Sequence, residues 1–494
     1  MTRSLFRNGR VHGTPATCLA VEDGHIAFVG DEDGAATYDG ADEVLDLDGA
    51  LLAPAFVDSH VHTVRTGFAR TGLDLSGTPS LATTLDDLAA FAETHPGHGV
   101  LVGQGWDETD WPEHRPPTGD ELERAAPARR TYLTRVDGHS SVVSPALAAL
   151  VPGLDALDGW TPDGRVERDA HHAVRAVLEG LIGPDERLDA ARAACLAMAA
   201  QGIVTFHENA APHIGPEHEI EMVRQAASEA GLRAVVYWGE LMAVETAQRL
   251  GVAGLAGDLV ADGAFGSRTA ALSAPYTDRP DTCGHAYVSA QQVRDHVVAC
   301  TRAGLQAGFH CIGDAALENI REGFEAAERE LGTDPIRQAG HRLEHVEMPS
   351  RAMIDTMSRL GILASVQPMF DGLWGGPDGM YAARLGERWR QTNPFGALAE
   401  AGVSLAFGSD SPVTPLGPWA AIRAAVHHHA EEHRLDPATA FAAHTGGARL
   451  TVGAPADLAV WDQAPDLTQD ADVPRLLRTV AAGRTIHQNE EVAA

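Results

Sequence analysis

The chain has 494 residues, of which 44% are hydrophobic and 21% carry a charge, a composition typical of a folded globular protein with a large core. Its formal net charge of -32 repels other polyanions, which excludes nucleic acids and anionic membranes as favoured partners. All 37 residues in the Lys+Arg total are arginine, so the sequence contains no lysine.

The cysteines and the start of the chain indicate a reducing compartment. The five cysteines are widely spaced and form no C-x-x-C pair, so the sequence predicts neither a disulfide framework nor a thiolate metal site. The first residues lack the apolar stretch of a signal peptide, and no run of about 18 apolar residues is present to span a bilayer. We therefore expect a cytoplasmic protein that does not bind membranes.

Both ends of the chain show the pattern of short β-strands. Residues 1–53 alternate apolar runs with the tight-turn dipeptides Asp23-Gly24 and Asp48-Gly49, and residues 452–494 have the same character. The two ends can complete one structure, so we predict a composite β-sandwich formed by 1–53 and 452–494. The chain between them, 54–451, then forms the main domain.

In this central part, β-like runs that end in polar residues alternate with helical stretches rich in Ala, Leu, Glu and Arg, which is the pattern of βα units around a parallel sheet. Eight strands are predicted, at residues 55–60, 203–208, 234–239, 258–263, 305–310, 342–345, 362–367 and 404–410. Eight strands close a (β/α)8 barrel, so the predicted fold class is α/β with a TIM-like barrel. Residues 65–195 are too long for one crossover, and we predict an insertion over the barrel mouth.

Histidines and one aspartate stand at the ends of four of these strands. His60 and His62 close the first strand and are two residues apart, so they share one face, although this H-x-H pair alone is a weak indication of a metal site. His310, His345 and Asp410 end the fifth, sixth and eighth strands. Because the carboxyl ends of barrel strands converge on one mouth, the five side chains together predict a site for Zn2+ or another divalent ion.

The motifs that carry these residues resemble those of a known family. PAFVDSHVH, DGAFGSRTA, HCIGD, RLEH, GSDSPV and ADLAVWD follow one another as in the amidohydrolase superfamily. GWDETDW and VDGHSS are similar to the branch related to N-substituted formamide deformylase (amidohydrolase family 3). The resemblance covers nearly the whole chain, and it implies a metal-dependent hydrolase of a C-N bond.

The resemblance also implies roles for single residues. His60 and His62 would be metal ligands, while His310 and His345 would be ligands or would contact the attacking water. Asp410 would be both a ligand and the general base, and His345 would be the second catalytic residue. Asp410 would take a proton from a water acidified by the ion and pass it to the leaving nitrogen.

The number of metal ions that the resemblance implies depends on the role of Asp258. Many relatives carry a carboxylated lysine on the fourth strand as a bridge between two metals, and the matching position here is Asp258. Since the chain has no lysine, a carboxylysine is excluded. Two arrangements remain open: one ion bound by the strand-end ligands with His345 orienting the water, or two ions bridged by Asp258. The shorter reach of aspartate favours one ion, because paired ions lie only ~3.5 to 4 Å apart.

Four further residues are candidates for contacting the substrate. Trp106, Asp107 and His139 lie in the predicted insertion, where they either line the substrate pocket or anchor loops through hydrogen bonds. Arg268 follows the fourth strand and either meets a substrate carboxylate or carbonyl, or forms an internal salt bridge.

The sequence therefore predicts an enzyme that cleaves a non-peptide C-N bond, an amide or an N-substituted formamide, of a small molecule. A deaminase or a cyclic-amide hydrolase would use the same site. A catalytically silent barrel that only binds metal or ligand is a third hypothesis, which is disfavoured because Asp410 and the four histidines are all present. The expected partners are a small-molecule substrate and further copies of the chain in a homo-oligomer.

Overall fold

The computed structural model describes residues 3–97, 99–468 and 471–489. The outermost residues of the two predicted terminal segments, 1–2 and 490–494, lie outside this range, as do residues 98, 469 and 470. The amino-terminal part contains β1 (Arg3–Arg7), β2 (Arg10–Val11), β3 (Cys18–Glu22), β4 (His25–Gly30), α1 (Glu32–Ala35), β5 (Glu43–Asp46) and β6 (Leu51–Pro54). Four of these strands form a sheet in the order β4-β3-β1-β5.

The first barrel strand is β7 (Phe56–Val61), and it leads into α2 (Thr63–Thr71). The chain then leaves the barrel and forms β8 (Leu73–Asp74), α3 (Leu81–Thr94), β9 (Val100–Trp106), α4 (Gly119–Ala125), β10 (Arg130–Arg135), β11 (Ser140–Val143), α5 (Pro145–Ala148), β12 (Arg165–Glu167) and α6 (Arg168–Glu179). The five strands make a separate sheet, β12-β11-β10-β9-β8. This sheet lies within the predicted insertion of 65–195, and the chain returns to the barrel with α7 (Pro184–Ala199), which packs against α2.

The other seven barrel strands alternate with helices. In chain order these elements are β13 (Ile203–Ala210), α8 (Glu219–Ala230), β14 (Arg233–Trp238), α9 (Val244–Leu250), β15 (Gly254–Leu255), α10 (Ala290–Ala303), β16 (Gln306–Cys311), α11 (Asp314–Leu331), α12 (Thr333–Ala339), β17 (Arg342–His345), α13 (Arg351–Leu360), β18 (Leu363–Val366), α14 (Pro368–Trp374), α15 (Met380–Leu385), α16 (Phe395–Glu400), β19 (Leu405–Phe407), α17 (Pro418–Val426) and α18 (Pro437–Thr445).

The eight strands pair in parallel in the order β7-β13-β14-β15-β16-β17-β18-β19. The last strand returns to the first, because Val61 and Ser411 form a parallel bridge and the Asp410 amide donates to the His60 carbonyl at 2.7 Å. The predicted (β/α)8 barrel is thus confirmed. One apolar core extends from the strands into the surrounding helices, as burial of one face of each element requires.

Local sequence explains where the helix α10 begins and ends. At α10, Ser289 accepts a hydrogen bond from the Gln292 amide, and the Gln292 side chain returns the contact as a capping box. The same helix ends at Gly304, whose φ of +69° is left-handed, a conformation that glycine adopts at little cost. The next strand can therefore begin two residues later.

The position of the fourth strand corrects the sequence prediction. The run at 258–263 was expected to be this strand, but the strand is β15, residues 254–255. Only these two residues join the ladder between β14 and β16. The chain leaves the sheet after Leu255 and touches it again in a single bridge between Val260 and His310. Asp258 consequently lies past the carboxyl end of the strand, at the barrel mouth.

The carboxyl-terminal strands complete a second small sheet with the amino-terminal ones. β20 (Leu458–Trp461), β21 (Leu476–Ala481) and β22 (Arg484–Gln488) continue the order β2-β6-β20-β21-β22. Residues of both terminal sheets share one apolar core, among them Leu19, Leu52 and Leu458, so the two chain ends pack together outside the barrel. None of the helices described here is long and apolar enough to cross a membrane.

Candidate metal centre and active site

The strand-end residues predicted from the sequence meet at the barrel mouth. His60 lies in β7 with His62 directly after it, and His310 and His345 lie in β16 and β17. Asp410 follows β19 by three residues. All five side chains are buried, as expected where loops and strand ends enclose a site.

Asp258 lies among these ligand candidates rather than at a distance from them. Its Oδ1 is 3.4 Å from His60 Nε2 and 3.9 Å from His310 Nδ1, and its Oδ2 is 3.4 Å from His62 Nε2. Asp410 Oδ1 is 3.4 Å from His60 Nε2 and 3.1 Å from His62 Nε2. The two carboxylates therefore face the same pair of imidazoles.

The donor atoms of this cluster fit a metal ion. His60 Nε2, His345 Nε2, Asp258 Oδ1 and Asp410 Oδ1 are buried and have no hydrogen-bond partner. Buried polar atoms without a partner are rare and costly in folded proteins. The ligand atoms form three compact groups, in each of which all atoms lie within 4.8 Å of one another: His60, His62 and Asp258; His60, His345 and Asp410; and Asp258, His310 and His345. Nitrogen and oxygen donors at this spacing are those of a divalent metal site.

The outer nitrogen atom of three of the imidazoles is held by a hydrogen bond. His60 Nδ1 donates to Glu344 Oε2 at 2.8 Å, and His345 Nδ1 donates to Gln367 Oε1 at 2.8 Å. His310 Nε2 donates to the Gly263 carbonyl at 3.3 Å. Such contacts fix the ring orientation and leave the other nitrogen free for a metal.

Glu344 in turn is fixed by Arg342, which sequence reasoning did not single out. The guanidinium donates to both oxygens of the Glu344 carboxylate, at 2.6 and 2.9 Å, and to the Ser59 carbonyl. Both residues of the pair are buried. Burial would raise the pKa of Glu344, but Arg342 and His60 hold that pKa well below its usual range, so the carboxylate is ionised.

The charges inside the cluster show how strongly it attracts a cation. Burial would lower the pKa of His60, but the Asp410, Asp258 and Glu344 carboxylates raise it well above its usual value. Burial would raise the pKa of Asp258, but His62, His60 and His310 bring it well below the usual range. A proton on the His60 ring thus takes the place of a metal charge.

The backbone is strained at two of these residues. His345 has a φ of +70° and Asp410 a φ of +54°, a region that residues other than glycine seldom adopt and that is concentrated at functional sites. At His345 the left-handed conformation interrupts the alternation of β17, so that Glu344 and His345 both face the site although they are neighbours. Gly408 allows the close approach of the eighth strand, since a Cβ there would lie 2.5 Å from the His60 amide nitrogen.

The structure places the four candidate substrate-contacting residues in different surroundings. His139 lines the cavity next to the metal cluster, with its ring 5.1 Å from that of His310. Trp106 is fully buried and donates to the Leu133 carbonyl, and Asp107 forms an ion pair with Arg135. Arg268 is paired with Asp278 at 2.7 Å. Of the four, only His139 is among the residues that line this cavity.

The fold and the site together define a TIM barrel with a cluster of candidate metal ligands at its mouth. The sequence profile described as the amidohydrolase family matches residues 43–487. YtcJ of Bacillus subtilis (strain 168), named as an amidohydrolase, is 27% identical over 460 residues, which cover 86% of this chain and 83% of that protein. N-substituted formamide deformylase of Arthrobacter pascens is 26% identical over 455 residues, covering 82% of this chain and 80% of that protein.

The comparison with solved structures agrees on the fold. A metal-dependent hydrolase from Pyrococcus furiosus superposes with a TM-score of 0.71 at 23% identity, covering 94% of this chain and 99% of the other. The chain belongs to the amidohydrolase family. It is therefore a hydrolase that acts on C-N bonds, and its candidate metal ligands are the histidines and aspartates of the barrel mouth.

Proposed function

We propose that the chain hydrolyses an amide or N-substituted formamide bond of a small molecule at this site, with Zn2+ as its metal. The observation that carries the proposal is the convergence of four imidazoles on two carboxylates whose inner oxygen atoms have no other partner. Imidazole nitrogen and carboxylate oxygen are the usual donors of catalytic zinc. The relative named as N-substituted formamide deformylase supports the choice of a formamide.

Two ions fit this arrangement better than one. One compact ligand group contains His60, His62 and Asp258, and another contains Asp258, His310 and His345. Asp258 belongs to both groups and would be the shared ligand. The sequence favoured a single ion because aspartate is short, but Asp258 lies at the mouth and its oxygens are within 3.4 Å of two imidazole nitrogens and 3.9 Å of a third. When bound, the metal would lower the pKa of a water towards ~7 and polarise the substrate carbonyl.

Asp410 is positioned to move the protons of the reaction. Burial would raise its pKa, but His60, His62 and His345 lower it, so the carboxylate is ionised and can accept a proton from the attacking water. Its amide is tied to the His60 carbonyl at 2.7 Å, which holds the carboxylate beside the ligands. The protonated Asp410 then delivers its proton to the leaving nitrogen.

His345 serves as a neutral partner of Asp410. Burial lowers the pKa of His345 to about 3, and the neighbouring His310 and His60 act in the same direction. Because Nδ1 donates to Gln367, Nε2 carries the free lone pair and faces the cluster. It can bind the ion or orient the water, which are the two roles expected from the sequence.

The other wall of the site suits an apolar substituent. Phe265, Phe370, Trp374 and Tyr381 line a pocket that shares His310, His345 and Asp410 with the metal cluster. Glu347 lies in the same wall, where burial raises its pKa to about 8, so this carboxyl group is neutral at pH 7. An alkyl or aryl group on the substrate nitrogen or acyl carbon would contact these rings.

The test combines metal content with turnover. Elemental mass spectrometry on protein purified without chelators should find about two ions per chain, and N-substituted formamides should release formate and amine. Asp410→Asn should keep the ions that the other ligands hold and lower kcat by about 10²- to 10⁴-fold, the usual worth of a general base. Asp378→Asn removes an exposed carboxylate and is the control. Metal-free protein without turnover, or unchanged turnover of Asp410→Asn, would refute the proposal.

A further inference from the structure

A stripe of two arginines and two histidines on one helix of the insertion faces the metal site. Arg168, His171, His172 and Arg175 recur at helical spacing in α6, so they share one face of the helix, and all four line the cavity beside His62, Asp258 and His310.

Arg175 differs from the other buried arginines of this region. Its side chain is held by polar but uncharged groups, since Nε donates to the Tyr132 hydroxyl at 3.2 Å and Nη2 donates to the Gly138 carbonyl at 3.0 Å. The residue is only 9% exposed. Among the side chains that the structure describes, no carboxylate forms an ion pair with it.

Comparable arginines are neutralised within the protein. Arg135 also lines the cavity, and it contacts the carboxylates of Asp107, Glu108 and Asp137. Arg342 is paired with Glu344. A buried charge without a counter-charge is costly, and proteins normally pair it. Arg175 is therefore a nearly buried positive charge that lines the cavity and that an anion bound there would neutralise.

The histidines around Arg175 do not share its charge. Burial and, to a smaller extent, the nearby Arg175 guanidinium lower the pKa of His172 to about 4. Burial also brings the pKa of His213 well below its usual value. His172 Nδ1 is buried without a hydrogen-bond partner, and its ring lies 5.1 Å from that of His213. Neutral imidazoles can donate to an oxyanion while Arg175 supplies the positive charge.

This part of the cavity adjoins the candidate metal centre. Gly138, whose carbonyl is bound by Arg175, is followed by His139, and the His139 ring lies 5.1 Å from that of His310. Arg65 and Arg168 line the same cavity, where Arg65 donates to the Ile214 carbonyl and Arg168 contacts Asp158 at 3.3 Å. The aromatic pocket of the proposed function meets this cavity at His139 and His310.

We propose that Arg175 is the centre of an oxyanion subsite and that the substrate carries a carboxylate group that binds there while its scissile C-N bond lies at the metal cluster. The inference rests on the proposed function for the reaction, but the subsite itself can be tested by binding alone. It names a substrate class: amides or formamides with a carboxylate on one side and an apolar group on the other.

The first experiment is a binding titration that needs no turnover. Benzoate is titrated calorimetrically into the protein as purified and into Arg175→Gln, Arg175→Lys and Arg124→Gln, the last being an exposed arginine of α4. Arg175→Gln should weaken benzoate binding by about 10- to 100-fold, the worth of one charge-assisted contact. The benzoate affinity of Arg175→Lys should lie between those of the parent and of Arg175→Gln, because lysine keeps the charge but not the bidentate geometry. Arg124→Gln should bind benzoate as the parent does.

Thermal denaturation separates a binding role from a structural one. Because Arg175 has no carboxylate partner, Arg175→Gln without benzoate should unfold at or above the parent temperature, and benzoate should stabilise the parent but not the variant. Benzoate binding that is equal in the parent and Arg175→Gln would place the anion elsewhere and overturn the proposal. The proposal would also be overturned if Arg175→Gln lost both thermal stability and benzoate binding while Arg175→Lys recovered the stability but not the binding. Inorganic phosphate that binds more tightly than benzoate would overturn the carboxylate assignment.

The second experiment connects the subsite to the reaction. 3-Formamidobenzoate and formanilide differ by one ring carboxylate, so their KM values compare the charged and the neutral substrate. Arg175→Gln should raise KM for the former by about 10- to 100-fold with little change in kcat, and should leave formanilide unaffected. Equal effects on both substrates would overturn the inference. If the parent protein turns over neither compound, the proposed function fails, while the benzoate titration still decides the subsite.

Discussion

Replacing Glu344 by glutamine tests whether the buried Arg342-Glu344-His60 chain holds the metal ligand in place. The substitution keeps an oxygen acceptor for His60 Nδ1 but removes the charge that faces Arg342. The pair is fully buried, with contacts of 2.6 and 2.9 Å, and removing one partner of such a pair costs about 3 to 5 kcal/mol. The uncharged acceptor would hold His60 less firmly, which should also weaken Zn2+ binding by about 10- to 100-fold.

Both effects can be measured on the same samples. Urea unfolding of chelator-treated protein gives the change in the free energy of unfolding, and competition with a fluorescent chelator gives the Zn2+ affinity. The control is Glu318→Gln, which breaks a contact to Arg321 on the surface of α11, where Glu318 is 45% exposed and the expected cost is only about 0 to 1 kcal/mol. If Glu344→Gln resembles this control in both measurements, the chain from Arg342 to His60 does not support the site.

Two further predictions concern the same ligands. Gly408→Ala should destabilise the fold by about 1 to 3 kcal/mol and lower metal content, because its Cβ would lie 2.5 Å from the His60 amide nitrogen; Gly40→Ala, which has open space around it, should do neither. Carboxylates raise the pKa of His60 and His62 against the opposing effect of burial, so metal must displace protons from both rings and Zn2+ affinity should rise from about pH 6 to 8. Calorimetry in buffers of different ionisation enthalpy should detect those protons, and a pH-independent affinity would contradict the assignment. The same raised pKa values stabilise the metal-free fold below about pH 6.5, and that contribution is lost as the pH rises through the folded-state pKa.

The convergence of the strand-end candidates could be predicted because a parallel barrel gathers the carboxyl ends of its strands. That rule needs no knowledge of loops, and His60, His62, His310, His345 and Asp410 all lie at the mouth. The rule does not predict which of two neighbouring residues at a strand end faces the site. In RLEH, alternation along a strand would put Glu344 and His345 on opposite faces, and the left-handed φ of His345 that lets both face the site is not visible in the letters.

The Arg175 subsite lay beyond the sequence prediction for another reason. The spacing of Arg168, His171, His172 and Arg175 indicates a basic helical face, but the direction of that face depends on how the insertion packs over the barrel. The four weaker candidates were chosen from the predicted insertion and from the segment after the fourth strand, without knowledge of how these parts pack. Arg268 and Asp107 are partly buried side chains that form ion pairs with Asp278 and Arg135 of the protein itself.

The fourth strand shows how a chain without lysine can still place a carboxylate between two ligand groups. A carboxylated lysine reaches its metals from within a strand, whereas an aspartate must bring its backbone closer. Here the strand ends early, at Leu255, and Gly257 turns the chain with a φ of +72°. At the end of the third strand, Gly239 leaves the room that this path needs, since a Cβ there would lie 2.6 Å from the Asp258 carbonyl carbon. The short side chain is thus compensated by the path of the backbone, and the length of the residue alone is a poor guide to the number of ions.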